Sequence, residues 1–266
     1  MSSSPTRQPV LFVGHGSPMN ALDDNQWSRG FSALGKGLAK PRAVLCVSAH
    51  WFIEETALTG ESAPKTIHDF GGFPRPLYEM QYAAPGAPEL AARAAALLGP
   101  GAQLRTDWGL DHGAWSVLVH LLPNHDVPVV QLSIDAGKEP VEHLALGRAL
   151  RGLRDEGVLI LGSGNLTHNL RHAMTSMRRG DSSTPDWARR FDEDLARAIE
   201  QRDDGFLVRA LASPDGQASH PSPDHYLPLL YAYGATEERD IPSYPINGFD
   251  LGSLSMRSVL WSPRGL

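Results

Sequence analysis

Four histidines of the 266-residue chain each sit where an apolar run gives way to small or turn-forming residues: His15 in VLFVGHGSP, His50 in AVLCVSAHW, His168 in VLILGSGNLTHN and His225 in SHPSPDHYLP. Neutral imidazole is the commonest protein ligand for zinc and also serves iron, so histidines that converge from several strand ends suit a mononuclear metal site. The glycines flanking His15 let the backbone turn sharply after a strand. Taken alone, a turn-capping histidine explains His15 as well as a ligand does. His50 adds weight, because it also follows an unbroken apolar strand. His225 lies beside Asp224, an acidic residue suited to a helix N-terminus. His168 is expected either as a fourth ligand or as an acid/base group beside the metal.

A fifth histidine, His112 in WGLDHGAW, opens an apolar helix next to Asp111. A carboxylate beside an imidazole orients it and raises its pKa, which suits a general acid or base. The plainer reading is that Asp111 caps the helix and His112 follows from it. His68, in TIHDFGGFP, is the remaining histidine with a notable setting. Other chemistries find little support. No phosphate-binding glycine loop is complete, and GSGNLT does not finish a dinucleotide fingerprint. Ser17, Ser48 and Ser163 lie near histidines, but none occupies a nucleophile elbow. The single cysteine, Cys46 in AVLCVSA, allows neither an internal disulfide nor a thiolate cluster and is expected to be buried in a strand.

The elements that must position these residues read as strands at 10–13, 43–48, 129–133, 158–161 and 255–261. They alternate with helices at 88–98, 113–122, 140–154, 185–201 and 224–233. Short apolar runs alternating with amphipathic stretches imply an α/β fold, one domain with a mostly parallel central sheet flanked by helices. Open α/β sheets place ligands at the carboxyl rim of the strands, where His15, His50 and His168 are expected. Residues 60–88 carry many prolines and glycines and should form a long ordered loop whose aromatics, Phe70, Phe73 and Tyr82 among them, wall the site. Residues 213–223 should form a second loop. We expect a flexible N-terminus over residues 1–8 and a single catalytic domain over 9–266. The net charge of −6 argues against nucleic acid as a partner. No apolar window approaches the length of a membrane span and the start has no secretory character, so the expectation is a cytoplasmic protein acting on a small molecule.

The blocks LFVGHGSPMNALDDN, SAHW, TIHDFGGFP, YAAPGAPELA, GLDHGAW, PVVQLSID, GSGNLTHNL, SPDHYLPLLYAYGA and GSLSMRSV, in this order, resemble the DOPA 4,5-dioxygenase family of class III extradiol ring-cleaving dioxygenases. The resemblance is close to bacterial members, extends to the plant enzymes of betalain pigment synthesis, and covers nearly the whole chain. It implies the fold of the protocatechuate 4,5-dioxygenase catalytic subunit with one divalent metal, zinc or iron(II), at the sheet rim. It implies metal ligation by His15, His50 and His225, with His168 directed at the same site and matching a catalytic acid/base of the broader superfamily; His112, from its place beside Asp111, is the other acid/base candidate. In the broader superfamily the third ligand is a glutamate; here His225 takes that place, a set equally welcoming to zinc. The substrates implied are a catechol, L-DOPA or a relative, and dioxygen, with a yellow muconic semialdehyde as product. Arg75 is a candidate partner for a substrate carboxylate, against the plainer reading of a solvated loop charge. The rival readings are a zinc hydrolase on this scaffold and a non-catalytic metal-binding protein. A tetrapyrrole chelatase ranks last, since it explains His15 alone.

Overall fold

Strands that are apolar on both faces need cover on both, and four such runs form the centre of this molecule. The computed structural model describes residues 6–263. Its main sheet is ordered β4-β3-β5-β2-β6-β1-β10-β7. The strands are β1 (Val10–Gly14), β2 (Ala43–Ile53), β3 (Ala57–Thr59), β4 (Gln103–Arg105), β5 (Val129–Asp135), β6 (Val158–Gly164), β7 (Ile241–Ile246) and β10 (Ser258–Ser262). A small hairpin of β8 (Phe249–Asp250) and β9 (Leu254–Ser255) stands apart from it. The central block β5-β2-β6-β1 is parallel throughout, in keeping with an α/β domain built on a mostly parallel sheet. Its edges are not: β10 runs antiparallel to β1, β7 antiparallel to β10, and β3 antiparallel to β5.

Alternation along each strand divides the core in two. Leu45, Val47 and Ile160 face one cluster, covered by the helices Pro140–Leu150, Asp186–Gln201 and Leu227–Gly234. Val44, Cys46 and Leu161 face the other, covered by Gln26–Gly37 and His112–Leu121. Cys46 is fully buried, as a small apolar strand residue would be.

Several expectations need correction. The helix Gln26–Gly37 went unread because Gly30, Gly35 and Gly37 lower its propensity; Asn25 nevertheless starts it with a reciprocal capping box with Ser28. Residues 213–223 are not simply a loop, since Pro214–Ser219 is helical with Ser213 as cap. The helix expected at 224–233 begins at Leu227, after a turn through His225. The terminal strand is Ser258–Ser262 rather than 255–261. Of the N-terminal residues expected to be flexible, 1–5 lie outside the described residues. Gln8, however, is buried and its N–H donates to the Arg154 carbonyl at 3.0 Å, so the ordered chain starts before residue 9.

The sheet fixes the rim through close backbone contacts. Gly164, paired with Gly14 at the ends of β6 and β1, lets the His225 carbonyl approach until an added Cβ would stand 2.2 Å from it. The next amide, Asn165 N–H, donates to that same carbonyl at 2.9 Å. Gly164→Ala should therefore push the His225 turn off the sheet and destabilise the fold by about 1–3 kcal/mol, the usual cost of overpacking against atoms that cannot yield. Urea unfolding of the variant measures this, and an unchanged midpoint would show that the turn is not held by this contact.

Candidate metal centre

His15 follows β1 directly, and its backbone N–H donates to the Gly164 carbonyl at 3.0 Å. Gly16, at φ +63°, makes the turn that only glycine adopts without penalty. His50 does not follow a strand end as expected. It lies within β2, which continues to Ile53, at an irregularity where the register with β5 shifts between Val47 and Phe52. Such bulges re-aim side chains and favour sites of function. His112 opens the helix His112–Leu121 beneath β2, where Gly113 is needed because a Cβ there would stand 2.8 Å from the His50 ring. His168 sits in the loop after β6, bridged to Leu254 of β9. His225 precedes the helix Leu227–Gly234.

All five imidazoles come together. The ring centres of His15, His50 and His225 are separated by 5.1, 5.2 and 5.0 Å, nearly an equilateral triangle. His112 lies 3.8 Å from His50 and 6.1 Å from His15. By donor atoms, the group is a different one: His15, His50 and His112, all three within 4.8 Å of one another. His168 is stacked on His225, ring centres 3.4 Å apart and planes within 2°.

Hydrogen bonding fixes which nitrogen of each ring carries the proton, an assignment made from the network. Ser163 Oγ donates to the Gly113 carbonyl at 2.6 Å, which uses its only proton; it therefore accepts from His15 Nδ1, 3.0 Å away. His225 Nδ1 bonds the Asp224 carboxylate, and His50 Nδ1 lies 3.3 Å from Asp69 Oδ2. The Asp224 carboxylate draws the His225 proton to Nδ1, and Asp69, near His50 Nδ1 without a hydrogen bond to it, favours the same tautomer there by its charge. Nε2 of all three rings is thus left as a bare lone pair, and the Nε2 atoms of His15 and His50 face each other at 3.3 Å. Two lone pairs at that separation repel unless a cation lies between them. Bonds of about 2.0–2.1 Å at tetrahedral angles put ligand nitrogens about 3.3–3.4 Å apart. The His15 and His50 donors therefore fit one divalent ion, and the outer oxygens are the usual orienting partners of metal-binding histidines.

Burial, then the neighbouring imidazoles, keeps His15 and His225 well below the ordinary histidine range. The same causes lower His50 to about 3, with Asp69 pulling the other way, and His168 to about 4. Burial lowers nearby His220 to about 4. These rings are neutral at pH 7, the form that binds metal.

Asp69 and Ser163 are the residues the sequence reading did not assign. Asp69 Oδ1 accepts the His112 backbone N–H at 2.9 Å, and its Oδ2 lies 2.9 Å from His112 Nδ1, off the N–H axis. Burial works to raise the Asp69 pKa, but the contacts with His112 and then His50 outweigh it and hold it below the usual value. Asp111, the carboxylate adjacent in sequence, caps the helix at Ala114 N–H and binds Ser48 and Gln131 instead. Burial pushes it up to about 6. The capping reading of Asp111 is therefore the right one. His68 pins the loop through Met80 O at 2.9 Å. Phe70 stands edge-on to His112 at 5.4 Å and to Phe73 at 5.3 Å. Tyr82 does not wall the site: it is buried, packs on His125 and donates to the Leu122 carbonyl. Arg75 is a solvated charge paired with Glu79.

Comparison with known proteins agrees with this geometry. Residues 9–247 match the family model described as the catalytic LigB subunit of aromatic ring-opening dioxygenase. A protein of Escherichia coli K12 named 4,5-DOPA dioxygenase extradiol is 47% identical over 96% of this chain and 95% of its own length. A protein of the same name from Beta vulgaris is 38% identical over 97% of this chain and 98% of its own. A crystal structure of an E. coli K12 protein superposes with a TM-score of 0.84 at 41% identity, covering 96% of this chain and all of that one. Among the described residues no helix is long and apolar enough to cross a membrane.

The lowered histidine values set the sign of a pH effect. Below about pH 6.5 the unfolded chain binds protons that the folded chain refuses until it reaches its own values, about 4 for His168 and His220 and about 3 for His50. Stability is complete above pH 6.5 and is lost as pH falls towards 3, by about 1.4 kcal/mol per pH unit for each such histidine. Urea midpoints of metal-free protein should drop steadily from pH 7 to 5; a flat profile would mean the imidazoles are solvated.

Proposed function

The chain belongs to the family of the catalytic LigB subunit of aromatic ring-opening dioxygenases, and from that premise we propose that it is a metal-dependent extradiol dioxygenase opening the ring of L-DOPA or a related catechol. The observation that carries this is the imidazole triangle with sides of 5.0 to 5.2 Å. A ring bound through Nε2 has its centre about 3.2 Å from the ion, and tetrahedral angles then separate ring centres by about 5.2 Å. His15, His50 and His225 are the ligands on this reading. His112 fits the set less well, because 3.8 Å to His50 is closer than the roughly 4.5 Å expected even at right angles.

His168 takes a different role. The His168 ring is parallel to that of His225 and stacked upon it at 3.4 Å, beside the triangle rather than part of it. On this reading His15, His50 and His225 would hold the ion, and His168 would serve as an acid/base group next to them. His112, with the Asp69 carboxylate 2.9 Å from Nδ1 favouring a proton on that side by its charge, presents Nε2 as a base for a catechol hydroxyl. Phe70, at the edge of His112, lies where an aromatic substrate needs an apolar wall. A bound divalent ion supplies Lewis acidity to the catechol oxygens and, as iron(II), a redox route to dioxygen that redox-inert zinc lacks. The names of the relatives support L-DOPA as the first substrate to try.

Metal-stripped protein reloaded anaerobically with iron(II) or zinc, then given oxygen and L-DOPA or simpler catechols, tests the reaction. Oxygen uptake matched to yellow ring-opened product is expected with iron. Zinc-supported turnover under argon would favour a hydrolase, and bound metal without any turnover would favour a binding protein. Among variants, His15→Ala and His50→Ala should lose metal and activity together. His112→Ala and His168→Ala should keep metal while the rate falls by about 10²–10⁴, the range of general acid/base catalysis. Full metal retention in His15→Ala would overturn the ligand set.

A further inference from the structure

Two sets of three histidines overlap in this site, and they share His15 and His50. One is completed by His225, whose ring closes the even triangle; the other by His112, whose donor atom lies within 4.8 Å of those of His15 and His50. One ion takes one set, so something must decide between them. We infer that Asp69 is the positioning residue that decides: it keeps His112 out of the ligand set, free to act as a base. This rests on the ligand reading above.

Asp69 is fastened on both sides. Just before it, Ile67 N–H donates to the Leu110 carbonyl at 2.7 Å, and Trp115 Nε1 donates to the Ile67 carbonyl at 2.8 Å. The loop is thus tied to the segment that opens the His112 helix. Asp69 Oδ1 takes the first backbone N–H of that helix, one of the donors a helix leaves unpaired, and Oδ2 lies against both His112 Nδ1 and His50 Nδ1. Phe70 closes the other side of the His112 ring. Between carboxylate, phenyl and the His50 ring, His112 has one place to rest. Without the carboxylate, the ring loses the charge beside its Nδ1 and the turn loses the acceptor of its first N–H. The nearest replacement for either is a cation shared with His15 and His50. The sequence-adjacent Asp111 cannot substitute, being committed to Ser48, Gln131 and the helix cap.

Cobalt(II) binding, followed by its visible absorption in metal-free protein, tests this without turnover. In the native background His112→Ala should change cobalt affinity by less than about threefold, as expected of a residue outside the ligand set. In the Asp69→Ala background the same change should weaken binding by at least about tenfold, as His112 has become a ligand there. The cobalt spectrum of Asp69→Ala should also differ from that of the native protein and shift again in Asp69→Ala/His112→Ala. Asp69→Asn keeps an oxygen for the His112 backbone N–H and should restore the native indifference to His112→Ala. Equal effects of His112→Ala in both backgrounds would overturn the role of Asp69. Native cobalt affinity in His225→Ala would instead remove the ligand reading itself, a result separable from the loss of coupling.

Discussion

The site depends on keeping several imidazoles uncharged and pointed inward, where each would be better solvated in water. Ser163, Asp69 and Asp224 stand beside Nδ1 of His15, His50 and His225 and favour the proton there, which leaves Nε2 lone pairs on three rings whose centres are 5.0 to 5.2 Å apart. Left to themselves, the nitrogens would separate or protonate. They do neither because the backbone beneath them is committed: β1, β2 and β6 are central, parallel and buried on both faces. A packed interior does not yield by the ångström that relief would need. The strain is held by the sheet, and a divalent cation is the group that removes it.

Charge is arranged in two shells. Three neutral imidazoles bring electron pairs to the site without adding negative charge. The negative charge sits one bond further out, on Asp69 and Asp224, each beside an Nδ1. From there it raises imidazole basicity while leaving the open side of the site to substrate. Ser163 gives His15 the same orientation with no charge at all. His15, the least exposed of the three, is thereby spared a buried carboxylate, which without a full set of partners is among the costliest groups to bury.

How far this was legible in the sequence follows from the range of the interactions involved. The strands that carry His15 and lead to His168 were readable because an unbroken apolar run ending in glycine is a local signal, and the parallel core follows from their alternation with helices. His50 was recognised, although its strand was ended too early, because a bulge is a register between two strands and leaves no mark on one. The antiparallel β10 and β7 were misjudged or missed for the same reason. His112 illustrates the limit most clearly. The carboxylate beside it in sequence, Asp111, turned out to serve the helix, whereas the one that touches it, Asp69, is 43 residues away and reaches it through a loop with no period to read.

That loop explains why the long irregular stretch around Asp69 is so well ordered. Expected as a loop throughout, the segment holds one short helix, Arg75–Glu79; the rest must satisfy its backbone otherwise, and does so by borrowing: Ile67 from Leu110, Tyr82 from Thr66, His68 from Met80. Leu77 and Tyr82 anchor it in the core, which leaves Phe70 and Asp69 at fixed positions over the rim. The division of labour is then plain. The sheet and the turns packed on it hold the imidazoles, while the loop supplies the Asp69 carboxylate and the Phe70 ring beside His112. Sequence change at the loop's aromatics can therefore alter the surface beside His112 without disturbing His15 or His225, provided Asp69 and the bonds that fix it are kept.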